Sequence, residues 1–331
     1  MDVVALVPAR DHVSTRYRVL QYAHYLAQHG LKLVVEPIER LPIPRLQQIL
    51  RPRRGQTVLI QRKLFPIWQI ALLKRSAGAL VYDFDDAVFY RDSFDARGPF
   101  SLTRAARFQA TIRMADLVVA GNKYLAEFAC RSVPARKVEV VPTCVDARRY
   151  QPAEHAERRP TRLVWIGSSS TLPSLEGARN ILEHVGKRIP NTKLKVICNQ
   201  FPQFQHIEVE RAHWSQAQET SDLRDSDIGI SWLADDHWSR GKCGLKVLQY
   251  MAAGLPVVAS PVGVHSEIVG RHGFLPASAK EWVDTIRRLS HDALLRDQVG
   301  REGRRRLELR FDVNAWGPVF AGHIHQAALR A

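Results

Sequence analysis

Trp238-Ser239-Arg240-Gly241-Lys242-Cys243-Gly244-Leu245-Lys246-Val247-Leu248-Gln249-Tyr250-Met251-Ala252-Ala253-Gly254-Leu255-Pro256-Val257-Val258-Ala259-Ser260-Pro261-Val262-Gly263 is the most informative stretch of the chain. Gly241 and Gly244 make a tight loop that feeds a helix starting near Leu245, and Gly254-Leu255-Pro256 ends that helix before the apolar run Val257-Val258-Ala259. Loop, helix, turn and buried strand together form one crossover of a parallel α/β sheet. A helix that starts at a glycine loop brings several backbone N–H groups and its positive end to one spot, where a phosphate fits. Arg240 and Lys242 add mobile positive charge beside it.

Outward from this unit the same alternation continues in both directions. Val3 to Val7, Leu33-Val34-Val35, Thr57 to Ile60, Ala79 to Tyr82, Leu117-Val118-Val119 and Val138 to Val141 read as six strands, with helices expected over about 66–76, 101–114 and 123–132. Val19, Tyr22, Ala23, Leu26 and Ala27 share one helical face, with Ser14 or Thr15 as the expected cap and Gly30 past the end. After the polar stretch Tyr150-Gln151-Pro152 to Arg159-Pro160 a second series follows at Leu163 to Ile166, Leu194 to Ile197, Ile228-Gly229-Ile230 and Val257 to Ala259. Two Rossmann-like domains are therefore expected, 1–153 and 154–312. The segment 313–331, with Trp316, Val319, Phe320 and Ile324 at helical spacing, is expected to return as a helix to the first.

The 331 residues are 45% apolar and 24% charged, which fits globular domains and excludes a disordered chain, a collagen or a small disulfide scaffold. No apolar run is long enough to span a bilayer, and the start has no basic-then-apolar export pattern, so a protein kept in the cytosol is expected. Cys130, Cys144, Cys198 and Cys243 form no CxxC pair and are read as free thiols. The net charge of +15 is lopsided, +11 in the first 150 residues and +4 in the rest. Basic clusters (Arg45, Arg51, Arg53, Arg54; Arg62, Lys63; Lys74, Arg75) lie around apolar helical stretches with Leu46, Ile49, Leu50, Trp68 and Ile70. Two readings stand, a helix face touching an anionic bilayer on the inner membrane side and a soluble basic face. No nucleic-acid motif accompanies them, so no nucleic acid is expected as a partner.

The stretch 238–263 resembles the donor-site segment of GT-B glycosyltransferases, in particular retaining glycosyltransferase family 4. That family reads Glu-Gly-Phe-Gly, then Leu-Glu-Ala-Met-Ala and Gly-x-Pro-Val-Val, with two carboxylates spaced Glu-x7-Glu. Pro142-Thr143-Cys144-Val145-Asp146 is similar to its interdomain Pro-Asn-Gly-Val-Asp, and Val164-Trp165-Ile166-Gly167 to the strand and glycine opening its second domain. Met114-Ala115-Asp116 and Gly121-Asn122 match a further segment of the first domain. The departures are specific. Gly241 and Gln249 occupy the two carboxylate positions, and Ser168-Ser169-Ser170-Thr171 replaces the usual Arg and Lys after the second domain's first strand. A bacterial polysaccharide and glycolipid branch is similar in carrying Asp235, Asp236, Trp238, Arg240 to Gly244, Lys246 and Gln249 to Ala252 in this form.

The resemblance implies two Rossmann-like domains with parallel sheets facing an interdomain cleft. It implies sugar transfer from a nucleotide-diphosphate sugar, a co-substrate with no further cofactor or metal, to a glycan, lipid-linked or other anionic acceptor. Retention of configuration and a place in cell-surface polysaccharide or glycoconjugate synthesis follow from the same likeness. Expected donor-binding residues are Gly167, Ser168, Ser169, Arg240, Lys242, Cys243, Gly244, Leu245, Gln249 and Glu267, with Lys246 set beside the departing phosphate as a catalytic group. In the first domain Asp83, Asp85 and Asp86 lie just beyond a strand's carboxyl end, where open α/β sheets bind ligands. Asp85 and Asp86 are read as orienting or deprotonating an acceptor hydroxyl, against the alternative of an Asp-rich turn. Arg10, Ser14 and Arg16 follow the first strand and are expected to approach the acceptor or a diphosphate. The competing reading is a non-catalytic GT-B protein that binds a sugar nucleotide and acts as a regulator or scaffold, motivated by the missing carboxylates.

Overall fold

The computed structural model describes residues 1–157 and 160–330; Arg158 and Arg159 of the polar stretch, and Ala331, lie outside the described residues. The described chain divides into two compact units. The first contains 1–144, 236–243 and 313–331, and the second 145–235 and 244–312. This division falls between Cys144 and Val145, upstream of residue 153, and it assigns the short segment Asp236–Cys243 to the first unit.

In the first unit the elements run β1 (Asp2–Val7), α1 (Val13–Arg18), α2 (Ala23–Gln28), β2 (Lys32–Pro37), α3 (Pro42–Leu50), β3 (Arg53–Gln61), α4 (Ile67–Ser76), β4 (Ala77–Phe84), α5 (Leu102–Met114), β5 (Leu117–Ala120), α6 (Lys123–Cys130) and β6 (Val138–Val140). The second continues with β7 (Thr161–Ile166), α7 (Leu172–Gly177), α8 (Arg179–Arg188), β8 (Thr192–Cys198), β9 (Glu208–His213), α9 (Glu219–Arg224), β10 (Ile228–Ser231), α10 (Leu245–Ala252), β11 (Val257–Ala259), α11 (His265–Val269), α12 (Ala279–His291) and α13 (Ala293–Arg310). The chain then re-enters the first unit as α14 (Val313–Leu329).

Six strands make the first sheet, in the order β2-β1-β3-β4-β5-β6, all parallel. Residues of α3 to α6, including Ile49, Ile70, Phe108 and Leu125, share a core with one face. On the other, Val19, Tyr22 and Leu26 meet Val313, Phe320 and Ile324 of α14. Both faces of a parallel sheet must be covered, which is why its strands read as unbroken apolar runs. The second sheet is parallel too, in the order β11-β10-β7-β8-β9.

Three local expectations are corrected. The helical face from Val19 to Ala27 is not one helix: α1 and α2 are separated by a 3-10 turn over Leu20–Tyr22, with Val19 at φ −131° and ψ −63°. His12 caps α1, accepting from the Ser14 N–H at 3.2 Å, because the two expected caps bond elsewhere: Thr15 to Gln61 at 3.1 Å and Ser14 to Arg62 at 3.0 Å. Strand β9 has no apolar run to announce it, because it is largely exposed where it lies at the edge of the sheet beside β8. Arg53, counted among the surface cations, is buried and ion-pairs with Glu36 at 2.8 Å.

Candidate active site

The loops at the carboxyl ends of β1, β3 and β4 assemble a charged cluster in the first unit. Arg62, the first residue after β3, has a left-handed backbone with φ 50°, and its N–H donates to the Asp83 carbonyl at 2.7 Å. That turn sends its guanidinium to Asp86 Oδ2 at 2.5 Å, with Asp85 Oδ1 3.9 Å from Nε. A second guanidinium N–H donates to Ser14. Asp83 takes no part: it is fully buried beneath and ion-pairs with Arg18, which also donates to the Val141 carbonyl at 2.6 Å. The three carboxylates are thus divided between a structural pair and a half-open cluster. Among the described residues no three His, Cys, Asp or Glu side chains are grouped so as to hold a metal ion.

Charge in the cluster is set by competition between burial and neighbours. Burial alone raises the Asp85 carboxyl, but Arg62, Arg18, Ser14 and His12 overcome it and hold it below its ordinary value. His12 is lowered, first by burial and then by Arg62, so its ring is neutral at pH 7. The site therefore offers an ionised Asp85 carboxylate that accepts hydrogen bonds, beside a neutral imidazole.

The segment 236–243 completes the cluster. Lys242 places Nζ 3.8 Å from Asp86 Oδ1 and 5.6 Å above the Trp238 ring. Asn122 caps α6, accepting from the Leu125 N–H at 2.9 Å, while its amide donates to the Gly241 carbonyl at 3.0 Å and lies 3.3 Å from Cys243 Sγ. The fit is tight: a Cβ on Gly241 would meet Ala87 Cβ at 2.6 Å, and one on Gly121 would meet Cys243 Sγ at 2.5 Å. No side chain fits at Gly241, which accounts physically for the missing carboxylate there. Burial pushes the Cys243 thiol well up, so it is a packing group and not a thiolate. Arg240 is exposed in the same segment, close enough to act on the Tyr124 phenol. All four cysteines are free.

In the second unit, Gly244 is the N-cap of α10, in a left-handed conformation (φ 67°) with no capping side chain. A Cβ there would lie 2.5 Å from Ile268 Cδ1, so the start of α10 lies against α11. Lys246, in the first turn, holds its ammonium 5.2 Å from the centre of the Trp165 ring at the end of β7. Gly167 follows, where a Cβ would strike that ring at 2.3 Å, and then the serine loop. Ser168 and Thr171 cap each other's backbone, and the Ser169 N–H donates to Asn199 at 3.0 Å. Gln249 is 3% exposed and donates to the Tyr150 hydroxyl at 3.4 Å, which in turn donates to the buried Glu219 at 3.2 Å. Glu267 is exposed in the first turn of α11, and His265 before it is buried against Ser260 and Ser231.

The expected site residues thus fall into two groups. Arg240, Lys242 and Cys243 belong with Asp85, Asp86 and Ser14 in the first unit, whereas Gly167, Ser168, Ser169, Gly244, Leu245, Lys246, Gln249 and Glu267 belong to the second. Arg10 donates to the Val35 carbonyl at 2.9 Å, and Arg16 to the Tyr17 hydroxyl at 2.7 Å.

Residues 160–292, from β7 to the end of α12, match the family model described as glycosyl transferases group 1. Among curated protein sequences none matches this one. Solved structures superpose over nearly the whole chain. Sucrose-phosphate synthase from Thermosynechococcus elongatus does so with a TM-score of 0.76 at 15% identity, covering 100% of both chains. A glycosyltransferase from Rickettsia africae gives 0.71 at 14% identity, over 99% of this chain and 98% of the other. Anabaena HepE in complex with UDP and glucose gives 0.70 at 13% identity, over 98% and 100%. The fold is GT-B.

Within this GT-B chain the sequence missed Arg62, His12 and Asn122 as members of the cluster. Arg62 reads as one of many surface cations, and only its left-handed turn reveals that it points inward. His12 carries no ligand spacing. Asn122 figures only within the Gly121-Asn122 family match, which says nothing of its bond to the Gly241 carbonyl.

Proposed function

We propose that this chain is a glycosyltransferase that moves a sugar from a nucleotide-diphosphate sugar to a glycan, lipid-linked or other anionic acceptor. The observation that carries the reading is the family match over 160–292, which contains the uncapped, glycine-led start of α10. On this reading the second unit binds the donor, its diphosphate at the N–H groups of the α10 start, with Lys246 adding charge. Negative charge develops on the diphosphate as the sugar leaves, and fixed dipoles and cations stabilise it there. The serine loop Ser168–Thr171 and the exposed Glu267 offer hydroxyls and a carboxylate to the sugar. Gln249, turned to Tyr150, serves a ribose through that hydroxyl network.

Acceptor handling falls to the first unit, with Asp85 and Asp86 accepting a hydrogen bond from the acceptor hydroxyl, Arg62 holding the Asp85 carboxyl low and Lys242 lying beside Asp86. Arg10 and Arg16 supply charge for an anionic acceptor. Retention of configuration, hexosyl transfer without metal, and a role in polysaccharide or glycoconjugate synthesis belong to the proposal. Supporting it, the similar structures include one in complex with UDP and glucose.

The test is thermal shift against nucleoside diphosphates and their sugars, because a ligand of the native state raises apparent stability by mass action. A shift is expected with one nucleotide family, and Lys246→Ala should weaken the diphosphate more than the nucleoside. No shift with any of them would refute the donor site. The buried Gln249 and the sterically enforced Gly241 favour examining a second reading, a non-catalytic binder; donor binding without transfer or hydrolysis across an acceptor panel would select it.

A further inference from the structure

Helices α3, α4 and α5 begin at one edge of the first sheet, because each crosses back from the carboxyl end of a parallel strand. Large apolar side chains stand in water at all three starts. Leu41 and Ile43 are 66% and 72% exposed at α3, Ile67 and Trp68 48% and 54% at α4, and Phe100 and Leu102 65% and 91% at α5. Single exposed apolar residues are ordinary; six of them at three neighbouring helix starts are not.

Cations share this edge. Arg45 lies in the first turn of α3, Lys63 before α4, and Arg104 and Arg107 at the start of α5. Lys63 is lowered from its ordinary value by burial first, and Arg45, Arg107 and Arg104 are near enough to add to the lowering. There is no Asp or Glu between Arg40 and Tyr82, or between Ala96 and Ala115. Arg53 and Arg62 point inward to Glu36 and Asp86, Arg51 pairs with Glu36, and Lys74 with Asp116. Arg45 and Arg104 donate to the carbonyls of Glu39 and Val88, and among the described residues no salt bridge joins either to a carboxylate. Like charges held together beside exposed Trp, Phe, Leu and Ile match a surface that is anionic outside and apolar within.

We propose that this edge of the first unit docks on an anionic lipid bilayer, with Ile43, Trp68 and Leu102 entering the headgroup layer and Arg45, Lys63, Arg104 and Arg107 meeting lipid phosphates. The docking stands on the surface alone. That the acceptor is itself lipid-borne rests on the glycosyltransferase reading, since Arg62, Asp85 and Asp86 follow strands that end at this same edge.

The experiment is cosedimentation of the full chain with vesicles of mixed phosphatidylglycerol and phosphatidylcholine, against pure phosphatidylcholine. Binding is expected to the anionic vesicles only and should fall as salt is raised. Lys63→Gln and Arg107→Gln should each lower partitioning about fivefold, and Trp68→Ser with Leu102→Ser at least about tenfold. Circular dichroism and the nucleotide thermal shift of each variant check folding; the two charge variants stand alone if the apolar ones misfold. Equal binding to neutral vesicles, no effect of the substitutions, or displacement by millimolar glycerol phosphate would overturn the proposal. So would sedimentation equilibrium showing a dimer that Trp68→Ser dissolves, because the face would then belong to a second copy. Docking without any nucleotide shift would count against the function and leave the docking intact.

Discussion

Arg62 and His12 show how single side chains set the charge of the cluster. Arg62 lowers both His12 and Asp85, so one guanidinium favours the deprotonated form of both, a neutral ring beside an anionic carboxylate. The sign of the pH dependence follows from the depressed imidazole. In the unfolded chain His12 takes a proton near its ordinary 6.5, whereas in the native state it takes one only at lower pH. Its contribution to stability is therefore complete above about pH 6.5 and is lost as pH falls through the native value. His155, lowered by burial, adds to the same slope. Denaturant melts between pH 7.5 and 5 should show stability falling below 6.5, with a shallower fall in His12→Gln; an unchanged slope in that variant would remove His12 as the source. None of this was legible beforehand, because sequence spacing reports which residues are near in the chain and not which way a guanidinium turns.

Most elements were legible because burial writes them into the sequence. Strands covered on both faces are mainly apolar, and ten of the eleven strands among the described residues carry a Val/Leu/Ile-rich stretch that announces them; β9, an exposed edge, does not. What periodicity cannot show is contact between elements, and glycines mark it. Gly300 lies within α13, where a Cβ would stand 1.9 Å from the Gly254 carbonyl oxygen just past the end of α10. Gly322 lies within α14 with nothing inside 4 Å of the same added atom. Alanine is better than glycine in a helix interior by roughly 1 kcal/mol, so the two substitutions should have opposite signs. Gly322→Ala should stabilise by about 0.5–1 kcal/mol, while Gly300→Ala should lose about 1–3 kcal/mol by overpacking against backbone that cannot yield. Urea melts of the two variants decide it, and a stabilised Gly300→Ala would deny the close approach of α13 to α10's end.

At the scale of the whole molecule, chain order and compact units do not coincide. The first unit is closed by α14, which arrives after the entire second sheet has been made, and by the eight-residue segment 236–243. The amphipathic spacing of Trp316, Phe320 and Ile324 announced a helix, and its place against Val19, Tyr22 and Leu26 explains why β1 and β4 can be apolar on both faces. Val319, on the same stripe, is 41% exposed, so the buried face is narrower than the spacing implied. Phe320 is the centre of that closure, 1% exposed and stacked on Tyr22 with ring centroids 4.3 Å apart. Truncating such a ring costs about 3–5 kcal/mol, and the loss should be local to the core it serves. Hydrogen exchange of Phe320→Ala should therefore quicken at β1, β3 and β4, whose Val3, Ala5, Leu59 and Val81 share that core, and leave β7, β8 and β10 at parent rates. Equal acceleration in both sheets would mean that the two units unfold as one, and the division of the chain would then describe its geometry but not its cooperativity.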